Sequence, residues 1–184
     1  MAQSWRVKSE RQRNPRPPLD AEGLERLGLF YAGRYATTRA KLATYLRRKL
    51  RERGWEGQGE PPVERLVARF AELGYVDDRA FASAKASSLL RRGYGQRRVS
   101  DALHAAGIGE EDSAPAREDA EAQAFTAALR FAERRRIGPY AEALLERPQR
   151  DKAAAAMLRA GHRLDLVRRI VNAPPGEVPE PDSF

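Results

Sequence analysis

Residues 99–108, VSDALHAAGI, repeat a pattern set 53 residues earlier by residues 46–55, LRRKLRERGW. Leu46, Leu50, Gly54 and Trp55 align with Val99, Leu103, Gly107 and Ile108. A third, shorter copy, MLRAGH at 157–162, supplies Met157, Gly161 and His162 at a further offset of 54. Apolar residues four apart lie on one face of a helix, and a glycine after the last of them is a natural stop. An internal repeat of this period marks stacked helical units, each too small to bury its own apolar face. The predicted fold class is therefore all-α.

Working outward, Asp20 is placed to cap a first helix from Ala21 to about Gly33, with Leu24, Leu27 and Tyr31 on one side. Thr37 or Thr38 caps a second helix that runs to Arg53, carries Leu42, Leu46 and Leu50, and stops at Gly54. A third helix from about Pro62 to Leu73 presents Val63, Leu66, Val67 and Phe70 and ends at Gly74. The pattern restarts with Asp77 as the cap of a helix from Asp78 to Arg92, and then a helix from Gln96 to Ala106. Residues 109–118, GEEDSAPARE, read as an acidic linker, followed by helices over about 119–136, 147–160 and 163–172. The expected divisions are a disordered basic arm at 1–18, a first three-helix repeat at 19–75, and 76–136 as the second repeat and the start of the third. The remainder of the third occupies 137–172, and an acidic disordered tail 173–184. The arm has Arg6, Lys8, Arg11, Arg13 and Arg16 against Glu10, and the tail has four prolines and three acids, so neither carries apolar periodicity.

The chain has 184 residues, a formal net charge of +8, 33% charged and 41% hydrophobic residues. Leu and Ala dominate the apolar set, which favours helix over strand. Cysteine is absent, which excludes disulfides, thiolate metal sites and a cysteine nucleophile, and agrees with a reducing cytoplasm as the expected location. No apolar run approaches the ~20 residues of a membrane span, and no apolar segment follows the basic N-terminus as a secretory signal requires. So strong a positive balance implies an acidic partner, either nucleic acid or an acidic protein surface.

Motifs for catalysis do not assemble. His104 and His162 sit at the ends of helices in different repeats and read as structural or solvent-facing. Asp77-Asp78 could pair on a metal, but a helix cap followed by a first-turn acid is the more economical reading. Gly54, Gly57 and Gly59 follow no strand and precede no Lys-Ser/Thr, so the phosphate-loop reading fails on context. The expectation is a binding protein and not an enzyme, with no cofactor and no metal.

Positive charge is the strong signal. From Arg34 to Arg53 inclusive there are eight basic residues and one acid, Glu52. On a helix about 25 Å long at ~1.5 Å per residue, Arg39, Arg47 and Arg51 fall away from the leucine stripe, which makes a basic rod. The stretch LLRRGYGQRR, residues 89–98, then sets Arg91 and Arg92, and Arg97 and Arg98, on either side of Gly93-Tyr94-Gly95. Cations at the end of a helix suit its dipole, which accounts for Arg91 and Arg92; Arg97 and Arg98 open the next helix, where the dipole disfavours them. A partner supplying the counter-charge would offset their repulsion, and arginine suits bidentate contact with carboxylate or phosphate.

Three stretches resemble the successive repeats of the RecX family, bacterial regulators of the RecA recombinase. They are A40-K-L-A-T-Y-L-R-R-K-L-R-E-R-G-W; the run of L73-G-Y-V-D-D-R-A-F-A, L90-R-R-G-Y-G-Q-R-R-V and L103-H-A-A-G-I; and K152-A-A-A-A-M-L-R-A-G-H. The resemblance spans roughly residues 20–172 and is most specific in the middle repeat. His162 departs from it, standing where an aromatic or aliphatic residue is usual. The resemblance implies a tandem array of three three-helix repeats in an elongated, curved molecule. It also implies a cytoplasmic regulator of homologous recombination, DNA repair and the SOS response that lodges in the groove of the RecA–DNA filament and inhibits recombination and ATP hydrolysis. A monomer with no membrane contact is expected. The residues expected to meet RecA or the DNA backbone are Arg39, Arg47, Arg48, Arg51, Arg91, Arg92, Tyr94, Arg97 and Arg98, with Tyr94 equally suited to core packing. The alternative is a basic helical-repeat protein that binds single- or double-stranded DNA directly, without RecA.

Overall fold

The computed structural model describes residues 17–181. Their regular elements are the helices α1 (Ala21–Arg34), α2 (Arg39–Arg53), α3 (Val63–Glu72), α4 (Asp78–Arg91), α5 (Gln96–Ala105), α6 (Glu110–Ala122), α7 (Ala124–Arg135), α8 (Arg147–Arg159) and α9 (Leu164–Val171), with a 3-10 turn at Gly138–Tyr140. No strand occurs among the described residues. An isolated bridge joins Leu19 to Trp55, with Leu19 N donating to Gly54 O at 3.0 Å and Glu56 N to Leu19 O at 3.0 Å.

Expected caps form where short polar side chains stand. Asp20 accepts from Gly23 N at 2.7 Å, Thr38 from Lys41 N at 3.2 Å and Asp77 from Ala80 N at 2.8 Å. Each satisfies one of the N–H groups that an α-helix leaves open at its start. Five helices end in one device. A left-handed residue closes the last turn at Gly74, Gly93, Gly107, Arg136 and Gly161. The N–H of the next residue, Tyr75, Tyr94, Ile108, Ile137 or His162, reaches back to the carbonyl five positions earlier. This is the Schellman closure, and glycine is favoured there because a Cβ crowds the left-handed backbone. His162 thus occupies a position that is tyrosine or isoleucine at the other four ends.

Three apolar clusters succeed one another along the chain. The first joins α1, α2 and α3 around Leu24, Leu42, Leu46, Val67 and Phe70. The second joins α4, α5 and α6 around Ala86, Leu90, Val99, Leu103 and Ala120. The third joins α7, α8 and α9 around Ala132, Ile137, Met157, Val167 and Ile170.

One linker is in fact a helix. Residues 110–118, read above as an acidic connection, belong to α6, which runs on to Ala122. Gln123 separates it from α7, so the helix expected over 119–136 is interrupted there. Glu110, Glu111 and Asp112 lie in the first turn of α6, where the dipole favours acids. Its buried stripe is Ser113, Ala116 and Ala120, small residues facing Ala82 and Ala86 of α4. Pro115 forfeits one backbone bond within the helix.

Both ends also differ in detail. Residues 1–16 and 182–184, most of the expected arm and the last of the tail, lie outside the described residues. At the boundary of the arm, Pro17 O accepts from Arg53 Nε at 2.9 Å. Residues 173–181 form no helix but are held to the third unit: Gly176 N donates to Pro139 O at 2.8 Å and the Arg169 guanidinium to Glu180 O at 2.6 Å.

Candidate partner-binding surface

The Gly-Tyr-Gly corner is the seat of the third unit. Gly95 N donates to Ala160 O at 2.9 Å and Arg97 N to Gly161 O at 3.2 Å. The start of α5 has no side-chain cap, and these two carbonyls from the end of α8 take its open N–H groups. Backbone approaches so close that a Cβ on Gly95 would lie 2.3 Å from Gly161 O, and one on Gly161 would lie 2.4 Å from Arg98 N. A Cβ on Gly93 would lie 2.8 Å from Phe131 N. His162 Nε2 bonds Gly93 O at 3.1 Å, and its ring meets Phe131 edge-on. Burial pushes the His162 imidazole below its ordinary pKa, opposed by the bond to Gly93. The departure at 162 therefore adds a hydrogen bond to the joint without giving up burial.

The joint between the first and second units is equivalent in place and different in means. Thr38, the cap of α2, donates its hydroxyl to Ala106 O at the end of α5, at 2.7 Å. Asp78 of α4 has a side chain 3% exposed and accepts from Arg39 N at 2.8 Å and Arg39 Nε at 3.2 Å. Arg39 also reaches Asp112 of α6. Asp78 is thus more than a first-turn acid, since it clasps the two units together. It is also the main reason that the guanidinium of Arg39 is held more firmly protonated than usual.

The residues expected to meet a partner sort by what already surrounds them. Arg39 is committed to the first joint. Arg47 pairs with Glu64, and Arg48 with Glu52 at 2.8 Å, both at exposed positions. Tyr94 is half-buried against the second core, with the Arg92 guanidinium 5.1 Å from its ring centre. Arg51, Arg91, Arg92, Arg97 and Arg98 are exposed, and none has a carboxylate within 4.0 Å among the described residues. Arg97 and Arg98 are brought together with Arg159 in a cleft of about 340 Å³. Arg159 was not singled out from sequence; its one signal there is its position two residues before the repeat glycine Gly161.

The placement of Arg97 and Arg98 now has a physical account. They open α5, yet the carbonyl end of α8 abuts them, and a helix C-terminus carries about half a negative charge. That fraction and Asp101, one turn further along α5, do not neutralise the three guanidinium groups of Arg97, Arg98 and Arg159, so the corner keeps a net positive charge.

Among the described residues no group of three or more His, Asp or Glu could hold a metal ion, and no helix is long and apolar enough to cross a membrane. No protein-family model matches the chain. A curated relative, the regulatory protein RecX of Myxococcus xanthus, is 30% identical over 176 residues, covering 90% of this chain and 94% of its own length. The chain belongs to the RecX family. The regulatory protein RecX of Thermus thermophilus is 39% identical over 83 residues, 45% of this chain and 55% of that protein. Among solved structures, RecX from Lactobacillus salivarius superposes with a TM-score of 0.65 at 16% identity, over 82% of this chain and 94% of its own. A second RecX structure gives 0.58 at 17% identity over 82% and 72%. At those identities the superpositions speak for the fold: the all-helical architecture is that of RecX proteins.

Proposed function

We propose that this RecX-family protein is a non-enzymatic, cytoplasmic regulator that binds the RecA–DNA filament and inhibits recombination and the coupled ATP hydrolysis. One observation carries the reading beyond the family. Arg91, Arg92, Arg97 and Arg98 are exposed on either side of a backbone corner packed closely at its glycines, and none has a carboxylate within 4.0 Å among the described residues. Like charges held together in this way repel at a cost to folding, and an acidic partner surface offsets that cost. Pre-ordering also means that little freedom is lost when the partner docks.

The test is RecA-catalysed ATP hydrolysis on single-stranded DNA, with and without the protein. Inhibition is expected. Replacement of Arg91, Arg92, Arg97 and Arg98 by Gln should keep the fold and weaken inhibition strongly, more so at high salt, where the remaining attraction is screened. Full inhibition by a normally folded variant would sink the reading. Direct DNA binding is separated by salt titration on bare DNA, where each phosphate contact removed lowers the slope of log affinity against log salt by roughly 0.7 to 0.9.

A further inference from the structure

The segment that follows α9 is seated in the manner of a bound peptide. Residues 173–181, APPGEVPEP, take no helical or strand structure, and four of the nine are proline. Proline fixes its own φ and biases the residue before it to extended backbone, which here includes Val178 and Glu180. The segment doubles back along α9. Gly176, at a φ of 84°, donates its N–H to Pro139 O at 2.8 Å, in the turn that follows α7. Further on, Glu180 O accepts from the Arg169 guanidinium at 2.6 Å. Pro181 then lines a cavity of about 470 Å³ with Phe125, Arg163 and Leu166, beside the starts of α7 and α9.

The floor of this slot is an aromatic–guanidinium pair, with the Arg169 guanidinium carbon 5.1 Å from the centre of the Phe125 ring. A guanidinium stacked on an aromatic face keeps its planar fork of N–H donors for carbonyl oxygens. Aromatic-lined grooves are also the usual seat of proline-bearing extended peptides, which lose little freedom on docking. Pro175 and Pro179 are half-buried, whereas Glu177, Val178 and Glu180 are exposed. Neither glutamate side chain has a Lys, Arg or His nitrogen within 4.0 Å among the described residues. Two prolines and two hydrogen bonds through the backbone therefore carry the hold. An extended segment of another chain, with prolines at that spacing, supplies the same features. A segment held by so few contacts opens at little cost compared with the core.

We infer that the slot formed by Phe125, Arg169 and Pro139 is a binding site for an extended, proline-bearing segment of a partner protein, and that residues 174–181 are its resident, displaceable ligand. The resident segment lowers the apparent affinity for an outside one in proportion to the fraction of molecules in which the slot is open. None of the four corner arginines takes part, so the inference stands apart from the filament reading.

The probe is a fluorescent peptide of residues 173–181, titrated with the full chain and followed by anisotropy. Gly176→Pro opens the slot from within, because proline lacks the N–H that meets Pro139 O and cannot reach a φ of 84°. This variant, with helix content unchanged by circular dichroism, is expected to bind the peptide about fivefold more tightly than the unaltered chain, or better. A peptide carrying Pro175→Ala and Pro179→Ala should bind the variant about tenfold more weakly, and one carrying Glu177→Gln and Glu180→Gln within about twofold of the original. Adding Arg169→Lys, which keeps the charge and gives up the planar fork, should cost about fivefold. A normally folded Gly176→Pro chain that binds no peptide would overturn the inference and leave the segment as a cover for the end of the array. Equal binding by the two chains, or by the proline-free peptide, would overturn it as well. A dimer of Gly176→Pro on sedimentation would overturn the choice of partner, since the slot would then take the segment of a second copy.

Discussion

The two joints put the same pair of helix ends in contact and differ in what chiefly holds them. Between the first and second units, side chains reach across: Thr38 to Ala106 O, and Arg39 to Asp78 and Asp112. Between the second and third, backbone meets backbone at Gly95, Arg97, Ala160 and Gly161, and one side chain, His162, adds its bond to Gly93 O. A side-chain joint is specified by a few chosen polar residues and tolerates some slack. A backbone joint is specified by the absence of Cβ atoms and tolerates almost none.

The largest effect that would break this contrast is expected from Arg39→Ala. It strands the Asp78 carboxylate, 3% exposed, with the Arg39 N–H as its remaining described partner. Removing one member of a buried ion pair costs roughly 3–5 kcal/mol; the low end applies because Arg39 itself is half exposed. Urea unfolding should show it, and the closely isosteric Asp78→Asn should lose less.

Gly95→Ala comes next. The new Cβ meets the Gly161 carbonyl at 2.3 Å, and backbone cannot step aside as a side-chain tip can. Overpacking of this kind costs about 1–3 kcal/mol. Because the loss falls on one interface of a repeat array, hydrogen exchange should quicken in 124–172 while 20–75 keeps its protection. Uniform protection in the variant would show that the third unit does not depend on this contact.

Acid sharpens the comparison from another side. The His162 pKa is lowered in the folded state, so the unfolded chain binds this proton more readily. The stability due to the neutral ring is complete above the ordinary imidazole pKa, about 6.5. It is lost as pH falls from there through the lowered folded value. Melting between pH 7.5 and 5 should therefore fall, by less than either substitution. His162→Phe should flatten that slope, and an unchanged slope would assign it to other groups.

The smallest effect is a gain. Arg136 is the one non-glycine residue with positive φ among the described residues, at 52°. Left-handed backbone costs a residue with a Cβ roughly 1–2 kcal/mol. Arg136→Gly should raise the melting temperature by a few degrees, the exposed pair with Glu142 being worth little against it.

How much of this could be read from sequence depends on side-chain size. Leucine stripes and terminal glycines make α1 to α5 legible, since Leu42, Leu46, Val99 and Leu103 recur at helical spacing and are buried. The helix α6 is hidden because its inner stripe is Ser113, Ala116 and Ala120, which hydropathy barely separates from a polar linker, and because Pro115 argues against a helix. The arginine corner was legible as charge. Its glycines were legible as a turn but not as a seat for Ala160 and Gly161, since sequence spacing gives no sign of a backbone contact so far along the chain. The same limit kept Arg39 among the expected partner contacts, although the fold commits it to Asp78.

The start of α5 has a further consequence, for the order of events on the ribosome. The helix α2 carries its own cap in Thr38 and can close as soon as its residues emerge. The helix α5 has Gly95, with no capping side chain, at its N-cap, and the N–H groups of Gly95 and Arg97 are met by the carbonyls of residues 160 and 161. During synthesis the middle of the molecule is therefore left unfinished until almost the whole chain has emerged, and a nascent protein halted before residue 160 should present a settled first unit beside a fraying second.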